Sequence, residues 1–202
     1  MKDILTHLGK DKKLKKYVEH IGPLELKPRN QVYLQLCRSI ISQQLSTKVA
    51  EVIYSRFRAL YGKKVPKPQQ IIDTPDEQLR AIGLSNAKKE YIKNVCRFFV
   101  EHQITDKQLH AMADEEVLNL LAQIKGVGKW TVEMILMFTL GRENVFAVDD
   151  LGIQQAMAKL YGIQSVDKRQ MKAQMLKQAE KWQPYRTYAC MYLWRIKDVK
   201  AL

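Results

Sequence analysis

Cysteine is scarce in this chain. Cys37, Cys96 and Cys190 are odd in number, far apart, and form no Cys-x-x-Cys pair. A disulfide framework, a cysteine zinc site and a four-cysteine iron–sulfur cluster are therefore excluded, and Cys37 and Cys96, on apolar helical stripes, are expected to be buried reduced thiols. Glycine (9) and proline (6) are few and scattered, which leaves no flexible linker. No apolar run approaches the length of a membrane span, and no repeat or low-complexity tract interrupts the chain. The first twenty residues lack the uninterrupted apolar region and small-residue cleavage site of a secretory signal. The expected location is therefore the cytoplasm, in association with the nucleoid in a bacterium. The 4 histidines stand apart without ligand spacing, which argues against a transition-metal site.

What the chain has is positive charge. Lys plus Arg number 34 against 21 for Asp plus Glu, a net charge of +13 over 202 residues. Such an excess attracts a polyanion. By itself it leaves nucleic-acid binding and a merely soluble basic surface equally open. Hydrophobic residues make up 46%, enough for a real core.

Helical periodicity dominates the pattern, and no segment alternates as a strand does. Tyr33, Leu36, Cys37, Ile40, Ile41 and Gln44 recur at helical spacing, as do Val49, Val52, Ile53, Phe57 and Leu60, the latter ending at Tyr61-Gly62. Ile92, Val95, Cys96, Phe99 and Val100 form a third stripe. Thr74-Pro75-Asp76-Glu77 reads as a Thr N-cap followed by Pro in the first helical position. Val132 to Leu140 is apolar almost all round and predicts a central buried helix. Asp149 or Asp150 caps the next helix, with Leu151, Ile153, Met157 and Leu160 expected inward. Trp182 is expected to pack in the core, and Lys88 and Lys89 to lie on a solvated face that meets phosphate. The class is all-α.

The most telling stretch joins two features. Ile124-Lys125-Gly126-Val127-Gly128-Lys129 closes one apolar helix and opens another. Its glycines allow a sharp turn and close approach by another molecule, and the helix N-terminus after Gly128 offers N–H groups to a phosphate. Then Phe146-Ala147-Val148-Asp149-Asp150 places acids at the start of a third helix. The first feature resembles the helix-hairpin-helix, a DNA backbone clamp. Together they resemble the helix-hairpin-helix DNA glycosylase superfamily, which includes endonuclease III and the 3-methyladenine DNA glycosylases. The resemblance extends to Ile40-Ile41-Ser42-Gln43-Gln44-Leu45-Ser46, similar to the family's DNA-inserting loop, and to Gly83-Leu84-Ser85-Asn86-Ala87-Lys88, similar to a second loop near DNA. Trp182 to Ala189, with Trp194, resembles the alkylpurine glycosylases in particular.

The resemblance implies a catalytic role for Asp150, with Asp149 as a cap or support. Trp130, Trp194, Tyr188 and Met134 are implied as the base pocket. It implies DNA contacts from Lys125, Gly126, Gly128, Lys129 and Thr131, a gap-filling role for Gln44 and a wedging role for Leu84. No cofactor is implied as required. A monovalent cation, Na+ or K+, is implied at the carbonyls of Ala122, Ile124 and Gly126. Bifunctional members carry a nucleophilic lysine two residues after the second hairpin glycine, and here that position is Trp130. A monofunctional enzyme of the 3-methyladenine DNA glycosylase II type is therefore implied, acting as a monomer on alkylated duplex DNA. It is expected to lack the extra N-terminal domain of larger members. The competing readings are a catalytically silent DNA clamp and a glycosylase for deaminated or mismatched bases. Two lobes are expected, a helical barrel over 30–143 with the hairpin at about 115–140, and a second lobe of 144–202 completed by 1–29. Asp150 is expected at the rim of a cleft between them.

Overall fold

In the computed structural model, residues 2–196 are described, and among them every regular element is helical. The chain divides into two compact units, one formed by Arg29–Ile135 and the other by the described residues up to Pro28 and from Leu136 onward. The second boundary falls before 143, the expected end of the first lobe. Leu136 to Arg142 belongs with the C-terminal residues because the Arg142 carbonyl accepts the Thr187 hydroxyl and Gly141 backs onto Pro28.

The chain begins in the discontinuous unit with α1 (Lys2–Leu8) and α2 (Lys12–Ile21). Asp11 caps α2, its Oδ1 accepting the N–H groups of Lys13 and Leu14. Its Oδ2 accepts from Tyr161, Gln178 and the indole of Trp182, so one carboxylate joins parts of the chain 150 or more residues apart. Trp182 is 1% exposed, as its apolar context predicts.

The continuous unit holds α3 (Val32–Ser42), α4 (Thr47–Ala59), α5 (Pro68–Asp73), α6 (Asp76–Ala81), α7 (Asn86–Glu101), α8 (Asp106–Ala111), α9 (Asp114–Leu121) and the start of α10 (Lys129–Phe138). Helix α7 lies at its centre, packed on α3 and α5. Leu36, Cys37, Ile40, Ile92, Val95 and Cys96 are all fully buried, the stripes read from the sequence. Each such side chain contributes roughly 1.5–3 kcal/mol of transfer free energy. All three cysteines are free and buried. Burial, and the Cys96 thiol beside it, push the Cys37 thiol well above its usual value.

Two local expectations fail here. Thr74 does not cap α6. Its hydroxyl donates back to the Gln70 carbonyl within α5 and meets Tyr61 Oη, leaving Pro75 at the N-cap position. Lys89 does not face solvent, and neither does Lys93 one turn on. They are 6% and 8% exposed, and both ammonium groups reach Asp76, at 2.6 and 2.7 Å. Two buried cations need a shared anion, and Asp76 at the start of α6 supplies it. The two lysines hold the Asp76 carboxyl down at about 2, below its ordinary 3.8.

The remaining helices are α11 (Leu151–Tyr161), α12 (Lys168–Ala179) and, after a 3-10 turn at Glu180–Trp182, α13 (Arg186–Ile196). Helix α11 packs on α13. Ile153 and Met157 point inward as expected, and Leu160 is half-buried. Leu151 does not: it is 66% exposed, because the first residue of α11 falls outside the packed stripe. No described helix is long and apolar enough to cross a membrane.

Candidate active site

Helix α9 ends at Leu121, and the chain turns through Ile124–Gly128 into α10. Val127 N–H donates to the Ile124 carbonyl at 2.9 Å, which closes the turn, and Gly128 O accepts Val132 N–H to start α10. The two glycines do different work. Gly126 has φ +102°, and a Cβ there would collide with the Tyr91 ring on α7. It is required for packing within the unit rather than for approach by another molecule. Gly128 has nothing within 4 Å of a Cβ position, so the space in front of the α10 N-terminus is open. The first N–H groups of α10 can therefore receive an anion. Lys125 and Lys129 are exposed beside it, with Lys129 Nζ 3.8 Å from Glu133. The Thr131 side chain is 3% exposed, so any contact it makes with a surface ligand is through its backbone. Trp130 is 40% exposed, and Met134 is half-buried one turn later.

Helix α3 ends in a tight turn. Gln43 has φ −53° and ψ 130°, Gln44 has φ +57°, and Leu45 N–H donates to the Ser42 carbonyl at 3.2 Å. That is the signature of a type II turn, whose third residue is ordinarily glycine or asparagine. A glutamine with its side chain exposed stands there instead. Gln43 Nε2 reaches the Gly126 carbonyl at 3.5 Å, linking this turn to the hairpin. Lys88, on the first turn of α7, donates to the carbonyls of Ile41 and Gln43 at 2.8 and 2.7 Å. Lys88 is thus not a solvated phosphate contact, and burial holds its amine below the usual value. Leu84 is 4% exposed, so a wedging role would require its loop to open; the exposed residues of that loop are Gly83, Ser85, Asn86 and Ala87.

In the other unit, Asp150 is the N-cap of α11. Its Oδ1 accepts Ile153 N–H at 2.8 Å and the indole N–H of Trp194 on α13, also at 2.8 Å. The Trp194 ring packs on Phe138, 5.8 Å between centroids. A Cβ on Gly152 would stand 3.1 Å from both Asp150 Oδ1 and Trp194 Cδ1. Only a glycine lets the indole approach the carboxylate this closely. Asp149 is the neighbouring acid, and it pairs with Lys172 on α12.

The loop before Asp150 is fastened to the start of α13. Thr187 Oγ1 donates to the Arg142 carbonyl at 2.6 Å and accepts Val145 N–H at 3.0 Å. Arg186 donates to both the side chain and the carbonyl of Asn144. These residues were not singled out from the sequence, because all but one of these bonds run to backbone groups, 42 to 45 positions away. Tyr188 belongs to this fastening rather than to an open pocket wall. It is 6% exposed, donates to Glu143 at 3.1 Å, and is pushed up to about 12 by burial and that carboxylate.

For a monovalent cation at the hairpin, the donor set fits. The three oxygens are neutral backbone carbonyls, of the kind alkali ions accept. Those of Ile124 and Gly126 each accept one hydrogen bond and keep a second lone pair.

Comparison with known proteins places this arrangement. Residues 37–183 match the family described as HhH-GPD superfamily base excision DNA repair protein. DNA-3-methyladenine glycosylase 1 of Schizosaccharomyces pombe is 34% identical over 186 residues, covering 91% of this chain and 80% of the relative. The solved structure of the 3-methyladenine DNA glycosylase of that yeast in complex with abasic DNA superimposes with a TM-score of 0.86 at 32% identity, covering 98% of this chain and 97% of the other. The crystal structure of a DNA-3-methyladenine glycosidase from Bacillus halodurans gives a TM-score of 0.81 at 36% identity, over 94% and 86% of the two chains.

Proposed function

Because the chain belongs to the HhH-GPD superfamily of base excision DNA repair proteins, we propose that it is a monofunctional DNA glycosylase that excises alkylated purines such as 3-methyladenine from duplex DNA. The observation that carries this reading is Asp150. It is a helix-capping carboxylate whose Oδ1 is fixed by the Ile153 N–H and the Trp194 indole, in a chain that also presents an open helix N-terminus after Gly128.

Alkylation at a ring nitrogen makes the purine cationic and weakens the bond to C1′. When that bond breaks, its electron pair leaves with the purine, which departs neutral, and positive charge develops on the sugar. Asp150 stabilises that charge, and the water that adds to C1′ gives up its proton to a base, for which the same carboxylate is the candidate. The N–H groups of the first turn of α10, with Lys125 and Lys129, hold a backbone phosphate. A monovalent cation on the carbonyls of Ala122, Ile124 and Gly126 would add positive charge to that grip. Gln44 occupies the space vacated by the extruded nucleotide, and the exposed indole of Trp130 stacks on the cationic base. Such a contact contributes roughly 0.5–2 kcal/mol.

Asp150→Asn preserves a hydrogen-bonding cap and removes the charge. Single-turnover release of 3-methyladenine from methylated duplex is expected to fall by about 10³-fold or more, in the range seen when essential catalytic groups are removed, with duplex affinity unchanged or higher. Unaltered turnover would take Asp150 out of the catalytic role. Borohydride added during turnover is expected to trap no protein–DNA adduct, since Trp130 offers no amine for a Schiff base.

A further inference from the structure

We infer that Lys88 is a positioning residue: its ammonium group, seated on the carbonyls of Ile41 and Gln43, holds the Gln43–Gln44 turn in the shape that presents Gln44 to the gap in the DNA. This rests on the role proposed above for Gln44.

The carbonyls at the end of α3 can be accounted for one by one. Ser39 O accepts the Ser42 hydroxyl, Ile40 O accepts Gln43 N–H, and Ser42 O accepts Leu45 N–H. The carbonyls of Ile41 and Gln43 are filled by Lys88 Nζ, at 2.8 and 2.7 Å. A helix C-terminus favours a cation, so this is a good place for an ammonium group. It is a poor place from which to send one. Lys88 lies in the first turn of α7, where a positive charge opposes the helix's own dipole. Its reach across to α3 also brings burial, which lowers the amine. Two unfavourable placements are tolerated for one result, the fixed turn.

What the turn holds is itself strained. Gln44 sits at φ +57° in a type II turn, a conformation that a glutamine adopts only where its surroundings impose it. Lys88 grips the turn from α7, and Gln43 ties it to the hairpin at Gly126. The inserting side chain is thereby prepared before DNA arrives, and in register with the hairpin that grips the backbone. Preorganisation of this kind lowers the ordering cost on binding.

The test compares Lys88→Met, which keeps most of the stem and removes the charge, with Lys88→Arg, which restores a cationic donor. The first readout is affinity for a duplex containing an abasic-site analogue, against an undamaged duplex of the same length. Lys88→Met is expected to weaken the abasic complex by about tenfold, the scale of losing one ordinary polar contact, to leave undamaged-duplex binding within about twofold, and to be partly rescued by Lys88→Arg. The second readout is single-turnover base release with the lesion either paired or in an unpaired bulge, where extrusion costs little. The loss is expected for the paired lesion and not for the bulged one. In the Gln44→Ala background, Lys88→Met is expected to add no further loss, because the two residues act as one unit. Equal weakening of damaged and undamaged duplex, equal loss on paired and bulged lesions, or full additivity with Gln44→Ala would each overturn the inference. If Lys88→Met does not fold, the affinity ratio is read on Lys88→Gln. Absence of base release by the unsubstituted protein would defeat the glycosylase reading, while the abasic-duplex comparison would still decide the role of Lys88.

Discussion

Gly152 is the residue on which the Asp150 arrangement is most finely balanced. It follows the capping aspartate by two positions, and a Cβ there would touch both Asp150 Oδ1 and Trp194 Cδ1 at 3.1 Å. Neither neighbour is free to retreat. Asp150 is tied to Ile153 N–H, and the Trp194 ring rests on Phe138. Gly152→Ala suits helix propensity, and an alanine removes backbone entropy from the unfolded chain. That gain offsets part of the crowding strain, so the melting temperature is expected to fall slightly, while the indole is displaced from the carboxylate by a few tenths of an ångström. A misplacement approaching 1 Å costs on the order of 10²-fold in rate, so a loss of about tenfold in single-turnover base release is expected. An unchanged rate would show that base release does not depend on the close seating of the Trp194 indole on Asp150.

At the level of elements, the pairing of α6 with α7 depends on the Asp76 carboxylate shared by Lys89 and Lys93. The folded carboxyl sits at about 2 against an ordinary 3.8, so its contribution to stability is fully present above the ordinary value and is lost as pH falls through the folded one. Asp76→Asn is expected to melt at a lower temperature than the unsubstituted protein near neutrality. The gap should close between about pH 4 and pH 2, the window set by those two values. Thermal melts of the two proteins across that range check it, the other carboxylates cancelling in the difference; a gap independent of pH would refute it. The same elements show what the sequence made legible. The α3 and α7 stripes were readable because a helix buries every third or fourth residue, and Ile40, Ile92 and Cys96 obey that rule. Asp150 was readable as a helix cap followed by an apolar stripe. Lys88 and Lys89 were misread as solvated because periodicity reports apolarity and is silent on where an ammonium finds an oxygen. The Thr187 latch was invisible for a related reason: its partners are backbone groups, which every sequence contains.

Over the whole molecule, the +13 charge acts on DNA before any single contact forms. Each phosphate neutralised on binding releases counterion, so the logarithm of affinity falls linearly with the logarithm of salt, with a slope of about −0.9 per phosphate contacted. This splits the lysines into two kinds. Lys88, Lys89 and Lys93 are engaged with carbonyls or with Asp76 and add only to the distant field. Lys125 and Lys129 are exposed beside the open N-terminus of α10. Lys125→Ala with Lys129→Ala is therefore expected to weaken binding to any duplex, damaged or not, and to make the salt slope shallower by about 2. Lys89→Met, which removes a charge of the same sign, is expected to lower thermal stability and leave the slope as it was. Titrations of an undamaged duplex at four or five salt concentrations measure both. Equal changes of slope for the two variants would mean that net charge alone governs the encounter, and the hairpin would lose its place as the site where the backbone is held.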